Sequence, residues 1–201
     1  MTDKPILFSG PMVRAILEGR KTQTRRLIKP SPKDLCSPLI SYEYGRRQYS
    51  WPNLRKANGD LIWFEPPWQL GDRLWVRETW AHICDFLGQA PGVQALCDGG
   101  FYRADESAHG DEMRRWTPSI HMPRVASRIT LIVTDFGVQQ LQDITESDAQ
   151  AEGFKNVGAF ADYWNSLTRT HQWHENPWVS VVAFKPIFEN IDKLKQCGVA
   201  A

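Results

Sequence analysis

The chain has 201 residues, of which 42% are hydrophobic and 23% charged, an ordinary balance for a globular domain carrying one elaborating insertion. Its net charge of +1 speaks against a general binder of long polyanions, whose affinity comes from many neutralised phosphates. No apolar run approaches the roughly 20 residues of a membrane-spanning helix, and Met1-Thr2-Asp3-Lys4-Pro5 lacks signal-peptide character, so a cytoplasmic protein with no membrane association is expected.

In chain order, Ile6-Leu7-Phe8 is a short apolar strand candidate. Met12, Val13, Ile16 and Leu17 then recur at helical spacing, with Ser9 as a capping residue and Pro11 as an early proline. Gly19 stands where a helix end needs left-handed geometry. The next residues, Arg20-Lys21-Thr22-Gln23-Thr24-Arg25-Arg26, place a lysine three positions from a threonine and beside arginines. An amine next to a hydroxyl is a base and nucleophile pair, and arginines are donors to phosphates and base edges.

Residues 30–70 lack periodicity and open on Pro30-Ser31-Pro32. The turn signal Asn58-Gly59-Asp60 predicts a hairpin of residues 49–54 with 61–64. A strand is expected over residues 74–79, with Leu74, Val76 and Glu78 on one face and Trp75, Arg77 and Thr79 on the other. Residues 82–116 look like an insertion rich in Gly, Ala and Asp, with a strand over 99–104. A β-branched strand follows over 128–138, and Thr145 caps a helix with Asp148 in the place of the usual Glu. Phe160, Tyr163, Trp164 and Leu167 form a helical stripe over 157–168, residues 178–187 are a closing strand, and the tail beyond Phe188 should fray. The pattern is α+β. A small mixed β-barrel with flanking helices and an inserted loop region would cover the edges of so many short strands.

Charge is unevenly placed. Residues 1–33 hold Lys4, Arg14, Arg20, Lys21, Arg25, Arg26, Lys29 and Lys33 against Asp3 and Glu18, whereas residues 139–153 hold Asp143, Glu146, Asp148 and Glu152 without a basic residue. That polarity suits a local site, although charge runs are commonly just solvated faces. The cysteines Cys36, Cys84, Cys97 and Cys197 form no Cys-x-x-Cys, and His82 with Cys84 and Cys97 matches no finger or ribbon spacing. His171 and His174 have i, i+3 spacing but fall in a loop, so neither a metal nor a cofactor is expected.

The segment Gly19 to Arg26 resembles the Gly-x-Lys-x-x-x-x-Arg signature of the ASCH domain superfamily, relatives of the PUA RNA-binding fold. Gly71-Asp72-Arg73-Leu74-Trp75-Val76-Arg77-Glu78-Thr79-Trp80, Pro118-Ser119-Ile120-His121-Met122-Pro123-Arg124 and Asn176-Pro177-Trp178-Val179 resemble further segments of its longer, phage-associated members. The acidic string Asp143 to Gly153 does too, and the likeness spans residues 5–187. It implies a PUA-like barrel over residues 1–188, an insertion at about 82–116, a tail over 189–201, and a cleft sized for a nucleobase. One bacterial branch hydrolyses N4-acylated cytidines with a lysine, a threonine and a glutamate. Lys21 and Thr24 resemble that branch, and the glutamate carries over to Glu152.

In that scheme Thr24 is the nucleophile, a desolvated Lys21 its base, and Glu152 orients the lysine or delivers a proton to the departing amine. Arginines beside the lysine would lower its pKa and a carboxylate would raise it, so the two effects compete. In a regular strand, residues three apart face opposite ways, so the scheme needs a bulge or turn near Thr22-Gln23. Otherwise the segment is a polar strand edge. Arg25, Arg26, Glu78, Trp80, Trp116 and His121 are the substrate-binding candidates. Glu78 could instead pair with Arg26 or Arg128, and His121 could be an ordinary hydrogen-bonded loop residue. The tryptophans stack bases or fill the core. The expected partner is a nucleoside or modified RNA base; the alternatives are a non-catalytic RNA-binding module and an ASCH-type ribonuclease.

Overall fold

The computed structural model describes residues 3–29, 38–43, 46–82, 100–105, 116–167 and 170–195. Its elements in chain order are β1 (Asp3–Leu7), α1 (Gly10–Leu17), β2 (Gln23–Leu27), β3 (Leu39–Glu43), β4 (Arg46–Arg55), β5 (Leu61–Phe64), β6 (Arg73–Arg77), β7 (Trp80–His82), β8 (Gly100–Tyr102), β9 (Thr130–Gln140), α2 (Glu146–Ala151), α3 (Val157–Leu167) and β10 (Trp178–Ile187), joined by short 3-10 turns. The chain is α+β, and it gathers into two compact units. Residues 1–22, 71–132 and 184–201 form the first; residues 23–70 and 133–183 form the second.

In the first unit β1 runs parallel to β6, with Ile6 opposite Val76, and β6 runs antiparallel to the start of β9, with Leu74 opposite Leu131. Burial on β6 alternates as its sequence does. Leu74, Val76 and, beyond the strand end, Glu78 are at most 1% exposed. The α1 helix buries Met12, Val13, Ala15 and Ile16. Complete burial of side chains like Val13 and Ile16 contributes about 1.5–3 kcal/mol each. Ser9 takes the extended N-cap conformation without a capping side-chain bond, and Gly19 ends the helix at φ 73°. The strand pair β7 and β8 joins His82 to Gly100. Within the expected insertion, β8 is the strand; residues 83–99 and 106–115 lie outside the described residues.

The expected fraying beyond Phe188 is not what the structure has as far as residue 195. Ile191 is fully buried, and the Thr130 hydroxyl donates to the Glu189 carbonyl at 2.8 Å. The Asn190 amide nitrogen donates to the carbonyls of Arg124, Val125 and Ser127. One asparagine thereby reaches three backbone acceptors, of which the Arg124 carbonyl also accepts from the Ser127 N–H at 3.1 Å, and this fixes the segment against the turn at 124–126.

In the second unit β2 pairs antiparallel with β10, placing Thr24 opposite Val182 and Arg25 opposite Val181, and β10 neighbours β9. The predicted hairpin is present: β4 pairs with β5, a bulge falls between Ser50 and Arg55, and β3 completes a three-stranded meander. Helix α2 starts with the predicted box, in which the Asp148 N–H donates to the Thr145 hydroxyl and the Thr145 N–H to the Asp148 carboxylate, each at 3.1 Å. On α3, Phe160 and Trp164 enter a core with Leu141, Ile144, Ala149, Val179 and Val181. Leu167 does not follow them; it is 59% exposed, because the last turn of the stripe runs past that core. Trp51, fully buried, meets Trp178 edge-on at 5.3 Å. Among the described residues no helix is long and apolar enough to cross a membrane.

Candidate functional site

Lys21 lies just past the left-handed Gly19, where the chain turns off α1 and the Lys21 N–H donates back to the Ala15 carbonyl at 2.9 Å. Its side chain is among the largest fully buried ones, 1% exposed, with the ammonium 5.7 Å from the centre of the Phe8 ring. Phe8 in turn packs on Phe184 at 6.2 Å. A lysine is almost never buried this completely without a structural or chemical reason. Regular strand geometry starts only at Gln23, so the strict two-residue alternation that would oppose Lys21 to Thr24 does not extend back to the lysine.

In the second unit Thr24, Arg25 and Glu152 are buried at 4%, 5% and 3% exposure. Glu152 caps the C-terminal end of α2, just before Gly153 at φ 93°, so the chain reversal there fixes its position. Arg25 spans from β2 to that helix. One of its terminal nitrogens donates to Gln23 at 2.8 Å and to Glu152 at 3.2 Å. The other lies 3.2 Å from Asp148, close enough for Coulomb attraction but poorly aimed for a hydrogen bond. The guanidinium also sits 6.0 Å from the Phe160 ring centre. Burial alone would raise the Asp148 carboxyl, but its bonds from Thr145 and the nearby Arg25 charge and Gln23 amide hold it below the usual carboxylate range. Burial pulls Arg26 below the usual arginine value, opposed by the charges of Glu152 and Tyr163.

The remaining candidates belong to the first unit. Glu78 is 1% exposed and takes a two-pronged bond from Arg128, Nε to Oε1 at 2.9 Å and Nη2 to Oε2 at 3.1 Å. Of its two possible ion-pair partners, this one is present. Arg128 also grips Asp105 and lies over the Tyr102 ring at 3.9 Å. Burial nevertheless pushes the Glu78 carboxyl up, with Arg128 only partly countering it. Trp80 is a core residue, packed with Met122, Ala126 and Tyr102. Trp116 is half-buried, with the Arg103 guanidinium over its ring at 6.0 Å from the centre. His121 is exposed in the 3-10 turn Ser119–His121, whose Ser119 and Ile120 carbonyls accept from Arg77.

His171 adopts φ 61° and approaches Glu175 at 3.8 Å. No group of three or more candidate metal ligands occurs among the described residues, and Cys36, Cys84, Cys97 and Cys197 lie outside them. Sequence inspection did not find the Tyr102–Asp105–Arg128 assembly. Tyr102 and Asp105 lie more than twenty residues from Arg128 and share no periodicity with it, and the available signal was an arginine at the start of an expected strand. Comparison of the chain with protein families, curated proteins and solved structures gives no match.

Proposed function

We propose that the chain is an ASCH-type protein with a PUA-like mixed β-barrel, acting in the cytoplasm as a metal- and cofactor-independent amidohydrolase on N4-acylated cytidine or a related base amide. The observation that carries this reading is burial. Lys21, Thr24 and Glu152, singled out by the resemblance, are 1%, 4% and 3% exposed. A polar strand edge, the plain alternative, would leave such side chains in water.

The roles follow from their chemistry. The Thr24 hydroxyl attacks the acyl carbon and gives its proton to the Lys21 amine. The C–N bond breaks, a proton passes to the departing cytosine amine, and water then cleaves the threonine ester to release the carboxylic acid. Glu152 is the carboxylate named by the resemblance. Glu78 is its rival, because burial raises its pKa, which favours the protonated form that a proton donor needs. The binding-only alternative has Lys21, Arg25 and Arg26 hold phosphates while the tryptophans stack bases, and the commitment of Arg25 and Trp80 to the interior speaks against their part in it.

The test is incubation with N4-acetylcytidine and chromatography for released cytidine, in the wild type and in Thr24→Ala, Lys21→Met, Glu152→Gln and Glu78→Gln. Thr24→Ala should remove nearly all turnover, while the two glutamine variants decide which carboxylate assists. Turnover that survives Thr24→Ala ends the assignment. Tight binding of a short single-stranded RNA with a steep salt dependence, and no turnover, would favour the RNA-binding module instead.

A further inference from the structure

In the first unit an open pocket of about 700 Å³ lies between the turn at 124–126 and the segment that follows β10. This is within the usual size of small-molecule sites. It is held open by the tied tail. Asn190 is fixed to three carbonyls of the turn, and Arg124 grips Asp192 through Nε and Nη2 at 3.1 and 2.7 Å. Arg128, which lines the pocket, is engaged by Glu78 and Asp105. Those charges are spent within the protein.

Two lining side chains are not. The Glu189 carboxylate and the Lys193 ammonium have no hydrogen-bond or ion-pair partner among the described residues. The lining also includes Phe188 at 58% exposure and Val125 at 41%, large apolar groups left in water at a preformed concavity. One uncommitted anion, one uncommitted cation and an aromatic wall define a ligand of no net charge that carries both signs and a flat apolar group. A phosphate would face the Glu189 and Asp192 carboxylates, and a simple cation would leave Lys193 unmatched.

We propose that this pocket binds an aromatic α-amino acid in its zwitterionic form, with Lys193 on the carboxylate, Glu189 on the ammonium and the ring against Phe188 and Val125. The open mouth and the small number of ligand atoms set the expected Kd near about 1 mM. Calorimetry and ligand-observed NMR on the full chain should show binding of L-phenylalanine. N-acetyl-L-phenylalanine, which lacks the ammonium, and L-phenylalanine amide, which lacks the carboxylate, should each bind at least about fivefold more weakly, since each loses a charge-assisted bond. Glu189→Gln should weaken L-phenylalanine while leaving the N-acetyl compound unchanged, and Lys193→Gln should do the same with respect to the amide. Absence of binding up to about 20 mM, a concentration well above that Kd, overturns the proposal. So does equal affinity for the three compounds on the wild-type protein, a comparison that needs no variant to fold.

Discussion

Replacing Arg128 by methionine tests whether the Glu78 carboxylate is held inside the first unit by its partner. Methionine keeps apolar length over the Tyr102 ring but removes both bonds to Glu78, at 2.9 and 3.1 Å. Glu78, 1% exposed, is then a buried carboxylate without its main cation. Breaking a buried pair from one side costs about 3–5 kcal/mol. The lost contact to Asp105 adds little, because that carboxylate is 40% exposed and screened by water. The cost depends on pH in a definite direction. Burial already raises the folded-state pKa of Glu78, and losing Arg128 raises it further. A carboxyl of raised pKa is more protonated in the folded than in the unfolded state, so its contribution is fully present below the ordinary value of 4.5 and is lost as pH rises through the folded pKa. Relative to wild type, the deficit should therefore be largest near about pH 7.5 and shrink by up to about 1.4 kcal/mol per pH unit on acidification. Urea unfolding followed by tryptophan fluorescence at about pH 5.5, 6.5 and 7.5 measures it. The double variant Arg128→Met with Glu78→Gln should recover much of the loss, since no charge then remains buried. A deficit under about 1 kcal/mol at the highest pH, or one that does not change with pH, would refute the argument. A double variant no more stable than Arg128→Met would do so as well.

Two further outcomes test the local geometry. Thr145→Ala should cost about 1 kcal/mol in the urea midpoint by removing the cap of α2, and an unchanged midpoint would mean the capping box contributes nothing. Gly100→Ala should lower stability by about 1–3 kcal/mol, because a Cβ there would stand 2.5 Å from the Ala81 carbonyl oxygen and 3.0 Å from the Trp80 ring; an unaltered melting temperature would show that β7 and β8 lie further apart.

Local rules decided much of this molecule before any tertiary contact. The stripe of α1, the left-handed Gly19, the Asn58-Gly59-Asp60 hairpin, the Thr145–Asp148 box and the limits of β10 all depend on residues within a few positions of one another. Each is a case where backbone preference and side-chain period agree. Alternation on β6 likewise placed Glu78 on the buried face with Leu74 and Val76.

The fate of individual polar and aromatic residues was another matter. Arg25, basic and beside a strand start, looks like a phosphate donor, yet it is spent on Gln23, Glu152 and Asp148 because α2 brings two carboxylates against β2 from more than 120 positions away. Trp80 and Trp116 read alike in the sequence; packing against Met122 and Ala126 makes the first a core residue, while the second is half-buried beneath the Arg103 guanidinium. The tail offers no periodic signal, but a single asparagine finds three backbone acceptors in a distant turn and orders it. Sequence by itself determined the elements and the short list of reactive side chains, since propensity and periodicity are local. Which charges are neutralised inside the protein and which remain to meet a ligand was decided by long-range pairing, and only the tertiary structure carries that.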